Sequence, residues 1–141
     1  MLSDVLEMRG RLAIAINGEV VKEVPNLVVT SGKEYVASRM KDATATVMSH
    51  MSIGTSSTAA AKGDTALGTE AARAALTSTT VTNNQIVYVA TFSPGTGTGS
   101  IVEAGVFNAS SGGTMLCRTV FAVVNKGAND AMTITWTVTV S

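Results

Sequence analysis

The sequence is short of the residues from which most chemical sites are built. One cysteine and one histidine stand in 141 residues. A single cysteine excludes a disulfide framework and a cysteine-based zinc site, and a single histidine excludes a two-histidine metal site or a multi-histidine relay. Charged residues make up only 14%, against roughly 25% in an average domain. Ten basic residues balance ten acidic ones, so no positive field is available to meet phosphates, and direct nucleic-acid binding is not expected. Aromatics, at 4%, are too few to line a sugar cleft easily. No apolar run approaches the ~20 residues of a membrane span. Residues 1–10 carry Asp4, Glu7 and Arg9 and lack the basic-then-apolar layout of a secretion signal. Asn108-Ala109-Ser110, a match to a glycosylation acceptor, therefore reads as coincidence, and neither a secreted nor a membrane address is expected.

What is there belongs to strands and turns. Hydrophobic residues are 45% and glycines number 13, with Thr, Ser, Ala and Val prominent. A chain this long forms one domain and buries roughly 68% of its unfolded surface without disulfide staples. Its zero net charge leaves little like-charge repulsion between copies, which favours association.

Residues 1–9 place Leu2, Val5, Leu6 and Met8 at near-helical spacing, either as a lead-in packed on its own domain or as an arm reaching another subunit. Leu12, Ile14 and Ile16 alternate up to Asn17-Gly18, the strongest short hairpin signal, because both residues tolerate positive φ. The return strand holds Val20, Val21 and Val24 and is interrupted by Pro25, which marks an edge or a strand end. Ser31 followed by Glu34 forms a capping box for a helix over about 32–41, with Tyr35, Val36 and Met40 packed on a sheet. Residues 47–54 alternate as a strand, with Val47, Met51 and Ile53 on one face and His50 opposite. Residues 54–66 read as a loop. The run at 67–76 mixes helix formers with flanking threonines; the expectation is a turn at 64–68 and then one strand to about residue 80. Strands follow at 85–92, 100–108, 114–125 and 131–140. The expected core comprises Leu12, Ile14, Val36, Ile53, Leu67, Ile86, Tyr88, Phe92, Val106, Phe107, Leu116, Phe121, Ile134 and Trp136. Short strands with turns between them predict a mainly β fold: a single jelly-roll-like β-sandwich over 10–141, with one short α-helix packed on it and residues 1–9 as a contact arm.

Chemistry-bearing residues are scattered. His50 has no acidic neighbour in sequence and reads as structural or exposed. Cys117, in a long apolar strand, reads as a buried small hydrophobe; a Cys117 nucleophile with His50 as base is the enzymatic alternative. The glycines of 94–99 look like a phosphate-binding loop, but a strand follows where a helix is required, so the loop reads as a connection. Glu70 and Glu103 sit among apolar residues, as do Arg73 and Arg118. A glutamate on a core-facing strand is tolerable where an arginine meets it; a catalytic carboxylate pair would need a second acid in a cleft. The expectation is a non-enzymatic protein without metal or cofactor.

Three stretches carry a resemblance. The Asp64-Thr65-Ala66-Leu67 … Glu70 … Arg73 run, Glu103-Ala104-Gly105-Val106-Phe107-Asn108, and the closing Lys126-to-Val140 turn and strand resemble a group of small structural proteins of tailed bacteriophages. The resemblance covers roughly residues 10–141. It implies a virion component assembled in the bacterial host cytoplasm. The role expected is capsid decoration, bracing contacts between major capsid proteins as a trimer or dimer, with Leu2, Val5, Leu6 and Met8 as apolar anchors of the arm. A tail-fibre, baseplate or fibre-attachment component is the alternative within the group. A carbohydrate-binding module is the alternative outside it, and would need Trp136, Tyr35 or Tyr88 exposed as a platform.

Overall fold

The computed structural model describes residues 5–141. Nine antiparallel strands and one helix follow one another as β1 (Met8–Ile16), β2 (Glu19–Val28), α1 (Thr30–Lys41), β3 (His50–Gly54), β4 (Glu70–Ala75), β5 (Ser78–Thr82), β6 (Gln85–Phe92), β7 (Gly99–Phe107), β8 (Met115–Lys126) and β9 (Met132–Val140). The mainly β, one-helix expectation stands. Hydrogen bonding runs through one continuous sheet in the order β4-β3-β7-β8-β2-β1-β9-β6-β5. That is a curled half-barrel; the jelly-roll-like sandwich read from strand spacing goes further than this connectivity.

The curl has a covalent cause. β4 and β5 are the two outermost strands of the sheet, yet only Leu76 and Thr77 separate them in the chain. The Leu76 amide donates to Ser49 O beside β3, and the Thr77 amide donates to Val89 O on β6. Two adjacent residues thus stitch the sheet's opposite ends, and the sheet must roll to let them. The run expected as one strand to residue 80 is therefore two strands serving two ends, a division that periodicity does not reveal.

Local signals explain the other elements. Asn17 (φ 50) and Gly18 (φ 85) both adopt positive φ, the turn whose twist matches a tight β1–β2 hairpin. Pro25 lies inside β2, opposite Arg11 of β1. On its other side β2 pairs with β8 only at Leu27↔Arg118 and Val28↔Cys117, so the proline sits where that edge has no strand partner. The helix starts two residues before the expected 32, and the expected capping box is absent: Val29 is the N-cap and no side chain caps it. Ser31 Oγ instead donates to Met115 O (3.0 Å). Gly32 is what lets α1 lie against β8, since a Cβ there would stand 2.1 Å from Leu116 O.

Alternation fills the inside of the curl. Leu12, Ile14, Met51, Ile53, Phe92, Val106, Ile134 and Trp136 are fully buried in one cluster, with Tyr88, Leu116 and Phe121 nearly so. Val36 and Ile86 pack on its margin. Leu67 and Phe107 belong instead to a second cluster, with Val29 and Met115. Met40, expected to pack on the sheet, and Val47, expected on one strand face with Met51 and Ile53, are both exposed. The sheet also begins earlier than residue 10, for Met8 and Arg9 pair with Val140 and Thr139.

Candidate interaction surface and buried ion clamp

The residues expected to form an arm divide three ways. Leu2 lies outside the described residues. Val5 and Leu6 are each 72% exposed. Met8 is already β1, half-buried against the core, so it anchors the sheet rather than an arm. Glu7 exchanges backbone hydrogen bonds with Ser141 (2.7 and 2.9 Å), which ties the chain down just after the exposed pair.

Leu6 belongs to a larger apolar rim. With Met8, Val36, Ala37 and Met40 it lines a depression of about 510 Å³ between the N-terminal segment and α1, which Glu7, Arg9 and Lys33 also line. Val36 also lines an adjoining depression with Tyr35, Val47, Ile86 and Tyr88. Ile86 continues into a third, with Val81, Val138 and Val140. Shared residues thus join the three along one end of the curl. Met40 (80% exposed) and Val81 (69%) stand out of it. Large side chains exposed together in this way mark an interaction surface more often than chance placement does.

The side chains with the strongest chemistry are tied up in two ion clusters on the outside of β3-β7-β8. Glu103 of β7 and Arg118 of β8 are both buried, with Arg118 Nη2 2.9 Å from Glu103 Oε1. Arg118 also donates to Asp64 Oδ2 (2.9 Å) and to Thr58 O (3.0 Å). Glu103 in turn accepts the backbone amides of Ser56, Gly68 and Thr69, each at 2.8 Å. Burial alone would push the Glu103 carboxyl up, but these amides and Arg118 outweigh it and hold the pKa below the usual value. Every partner except Arg118 comes from loop 55–69, so the pair is a clamp that fastens that loop to the sheet. The second cluster is alike: Arg73 of β4 pairs with Glu70 (2.7 Å), donates to Ala109 O and Gly112 O, and lies 3.9 Å over the Phe107 ring. The expected meeting of glutamates with arginines is thus found for both pairs; the loop that the first pair holds was not foreseen.

The remaining candidates do not converge. Cys117 is fully buried, and desolvation pushes its thiol pKa up, away from the reactive thiolate. His50 is half-buried, with Nδ1 2.8 Å from Ser49 Oγ. Cys117 pairs with Val106 and His50 with its neighbour Phe107 in the same sheet, but no hydrogen bond joins cysteine to histidine among the described residues. Among the described residues, no three His, Cys, Asp or Glu group as metal ligands. Trp136 is fully buried with its Nε1 donating to Asn26 Oδ1 (3.1 Å), and Tyr88 is buried beside it. These two rings therefore form no exposed platform.

No family model, no curated protein and no solved structure matches the chain.

Proposed function

We propose that the protein is a non-enzymatic assembly subunit, a structural component of a tailed-bacteriophage virion, and within that group a capsid decoration protein. The observation that carries this is the apolar rim from Leu6 through α1 to Val81, exposed on a chain of zero net charge. Exposed apolar area on a neutral surface favours burial against a partner, each large side chain contributing about 1.5–3 kcal/mol when covered. The clamped loop supports the same view, because directional bonds to Glu103 and Arg118 give that face a fixed shape for docking. The partner in this proposal is the major capsid protein, with further copies of the chain completing a trimer or dimer.

The test is gold-labelled antibody imaging of intact particles, made with the native chain and with the Leu6→Glu/Met40→Glu variant. Label over the head that disappears with the variant is the expected result. Label confined to the tail would overturn decoration in favour of a baseplate or fibre role, and absence of label would overturn the virion assignment.

A further inference from the structure

The sheet has two outer strands, β4 and β5, and their edges are built differently. The β4 edge is blunted. Its ladder to β3 is interrupted at Ile53/Gly54, it carries the charged side chains of Glu70 and Arg73, and it lies against β6. Bulges, charges and cover each oppose stray strand pairing. β5 has none of them. Its sequence, Ser-Thr-Thr-Val-Thr, holds no charge and no proline, and its register with β6 runs from Ser78↔Val89 to Thr82↔Gln85 without a shift. Threonine and valine are strong strand formers. All five residues are exposed, Val81 at 69%, so both faces of the strand stand open. Among the described residues, no hydrogen bond other than those to β6 reaches Ser78–Thr82.

The turn determines which backbone groups are free. Asn83-Asn84 joins β5 to β6 as a two-residue turn, so the closing pair Thr82↔Gln85 is hydrogen-bonded and the ladder alternates from there. Thr80 and Thr82 therefore bond to β6, while the amides and carbonyls of Thr79 and Val81 point away from it. That spacing is self-complementary. Two such edges, run antiparallel about a twofold axis through Thr80, set Thr79 of each copy opposite Val81 of the other, and both pairs exchange hydrogen bonds. Ser78 then meets Thr82, and Thr80 meets Thr80. This register uses every residue of the strand and none of its turn, and it brings no like charges together. We infer that β5 pairs with β5 of a second copy, joining two nine-stranded sheets into one across a twofold axis. Val81, at one end of the apolar rim, is then covered by the second copy's Thr79. The pairing goes beyond the virion reading and does not rest on it.

The test uses the full chain. Light scattering should show a dimer. Thr79→Pro keeps the ladder to β6, because that amide faces outward, yet it removes a donor from each copy; the lost hydrogen bonds should weaken the dimer about tenfold or more. Thr80→Lys and Thr80→Glu should each weaken it, since like charges then stand opposite, and mixing the two should restore it. A native-like Trp136 emission verifies that each variant is folded. The Thr80 pair is of the non-hydrogen-bonded kind, with Cα atoms about 4.5 Å apart, within disulfide reach. Mild oxidation should therefore link Thr80→Cys chains to each other. Thr82→Cys chains, exposed like Thr80 but more than about 13 Å apart across the axis, should stay unlinked. The native Cys117 is buried and does not compete. A native chain that stays monomeric, a Thr79→Pro chain that associates as the native does, mixed charges that restore nothing, or linkage equal at positions 80 and 82 would overturn the inference. None of these results bears on the gold label, so the two proposals fail separately.

Discussion

Replacing Glu103 by glutamine changes no volume and one charge, yet it should be among the most damaging single substitutions in the protein. Both carboxylate oxygens are used. Oε2 accepts the Ser56 and Thr69 amides, while Oε1 accepts the Gly68 amide and Arg118. A carboxamide has one acceptor oxygen, so whichever way it turns, its NH2 group points at donors. At least two hydrogen bonds to a charged group are lost, each worth about 1.5–3 kcal/mol: the Ser56 and Thr69 amides lose their acceptor if the NH2 takes the Oε2 side, and the Gly68 amide and buried Arg118 lose theirs if it takes the Oε1 side. The expected loss is about 3–5 kcal/mol, the range for breaking a buried ion pair from one side. Against a total stability on the order of 5–15 kcal/mol, that lowers the melting temperature by roughly 10 °C or more. Urea unfolding followed by Trp136 emission reads it, since the indole is buried in the native state. A second variant sharpens the test. An ordinary buried ion pair is often replaced by apolar residues without loss. Here Glu103→Leu/Arg118→Met should stay destabilised, because the three loop amides still lack an acceptor. The Thr30 amide, which donates to Lys62 O at the start of α1, is loosened with the loop, and trypsin should cut after Lys62 sooner than in the native chain. If the double variant regains native stability and Lys62 stays protected, the clamp is merely a tolerated ion pair and the reasoning fails.

The same carboxylate sets an acid limit. The folded-state pKa of Glu103 is lowered, as is that of Asp130, which accepts the Gly127 amide and the Asn17 side chain. A depressed folded value means stability that is complete above the unfolded value of about 4 and lost as pH falls through the folded one; urea midpoints from pH 6 to 2 should fall only below about pH 4, less steeply in Glu103→Gln. In an open helix, glycine to alanine stabilises by about 1 kcal/mol. At Gly32 the sign should reverse, with a loss of about 2 kcal/mol or more, because the added methyl would meet Leu116 O at 2.1 Å; a thermal melt that rises would refute the close approach of α1 to β8.

What was legible in the sequence was whatever depended on neighbours along the chain. Asn17-Gly18 announced its hairpin because turn chemistry is local. The inward set of β6, Ile86, Tyr88, Ala90 and Phe92, followed from a period of two, as did Ile134, Trp136 and Val138 in β9. The helix was legible from its spacing, but not its cap: Ser31 found a better partner in Met115 O, across the fold. Asn83, at φ 53, turns β5 into β6 before Asn84, a signal of the same kind as Asn17-Gly18 that the strand count passed over. The curl was not legible, because it rests on Leu76 and Thr77 bonding to strands at opposite ends of the sheet. Nor was the loop clamp. Arginines meeting glutamates could be expected from apolar surroundings, but which backbone amides complete the carboxylate is a long-range fact.

That last point explains why a protein with so few charges buries Glu103 and Arg118. Loop 55–69 must cover the outer face of β3-β7-β8, and its sequence is almost all Gly, Ser, Thr and Ala. Leu67 is its one large apolar anchor, buried beside Val29, Phe107 and Met115. Contacts of that kind are non-directional and would leave so polar a loop free to shift. Glu103 replaces them with three amides gathered on one carboxylate, and Arg118 holds the far side through Asp64 and Thr58 O. On the face formed by β1, β9 and β6, Thr133, Thr135, Thr137 and Thr139 lie in register with Ala15, Ala13, Arg11 and Arg9 on one side and Thr91, Val89, Val87 and Gln85 on the other. One face is thus fixed by ions under a small-residue loop, and the other carries a central row of threonines flanked by small residues and by Arg9, Arg11 and Gln85. A rim with exposed Leu6, Met40 and Val81 at one end completes the exterior. That asymmetry is the physical ground on which the subunit proposal rests.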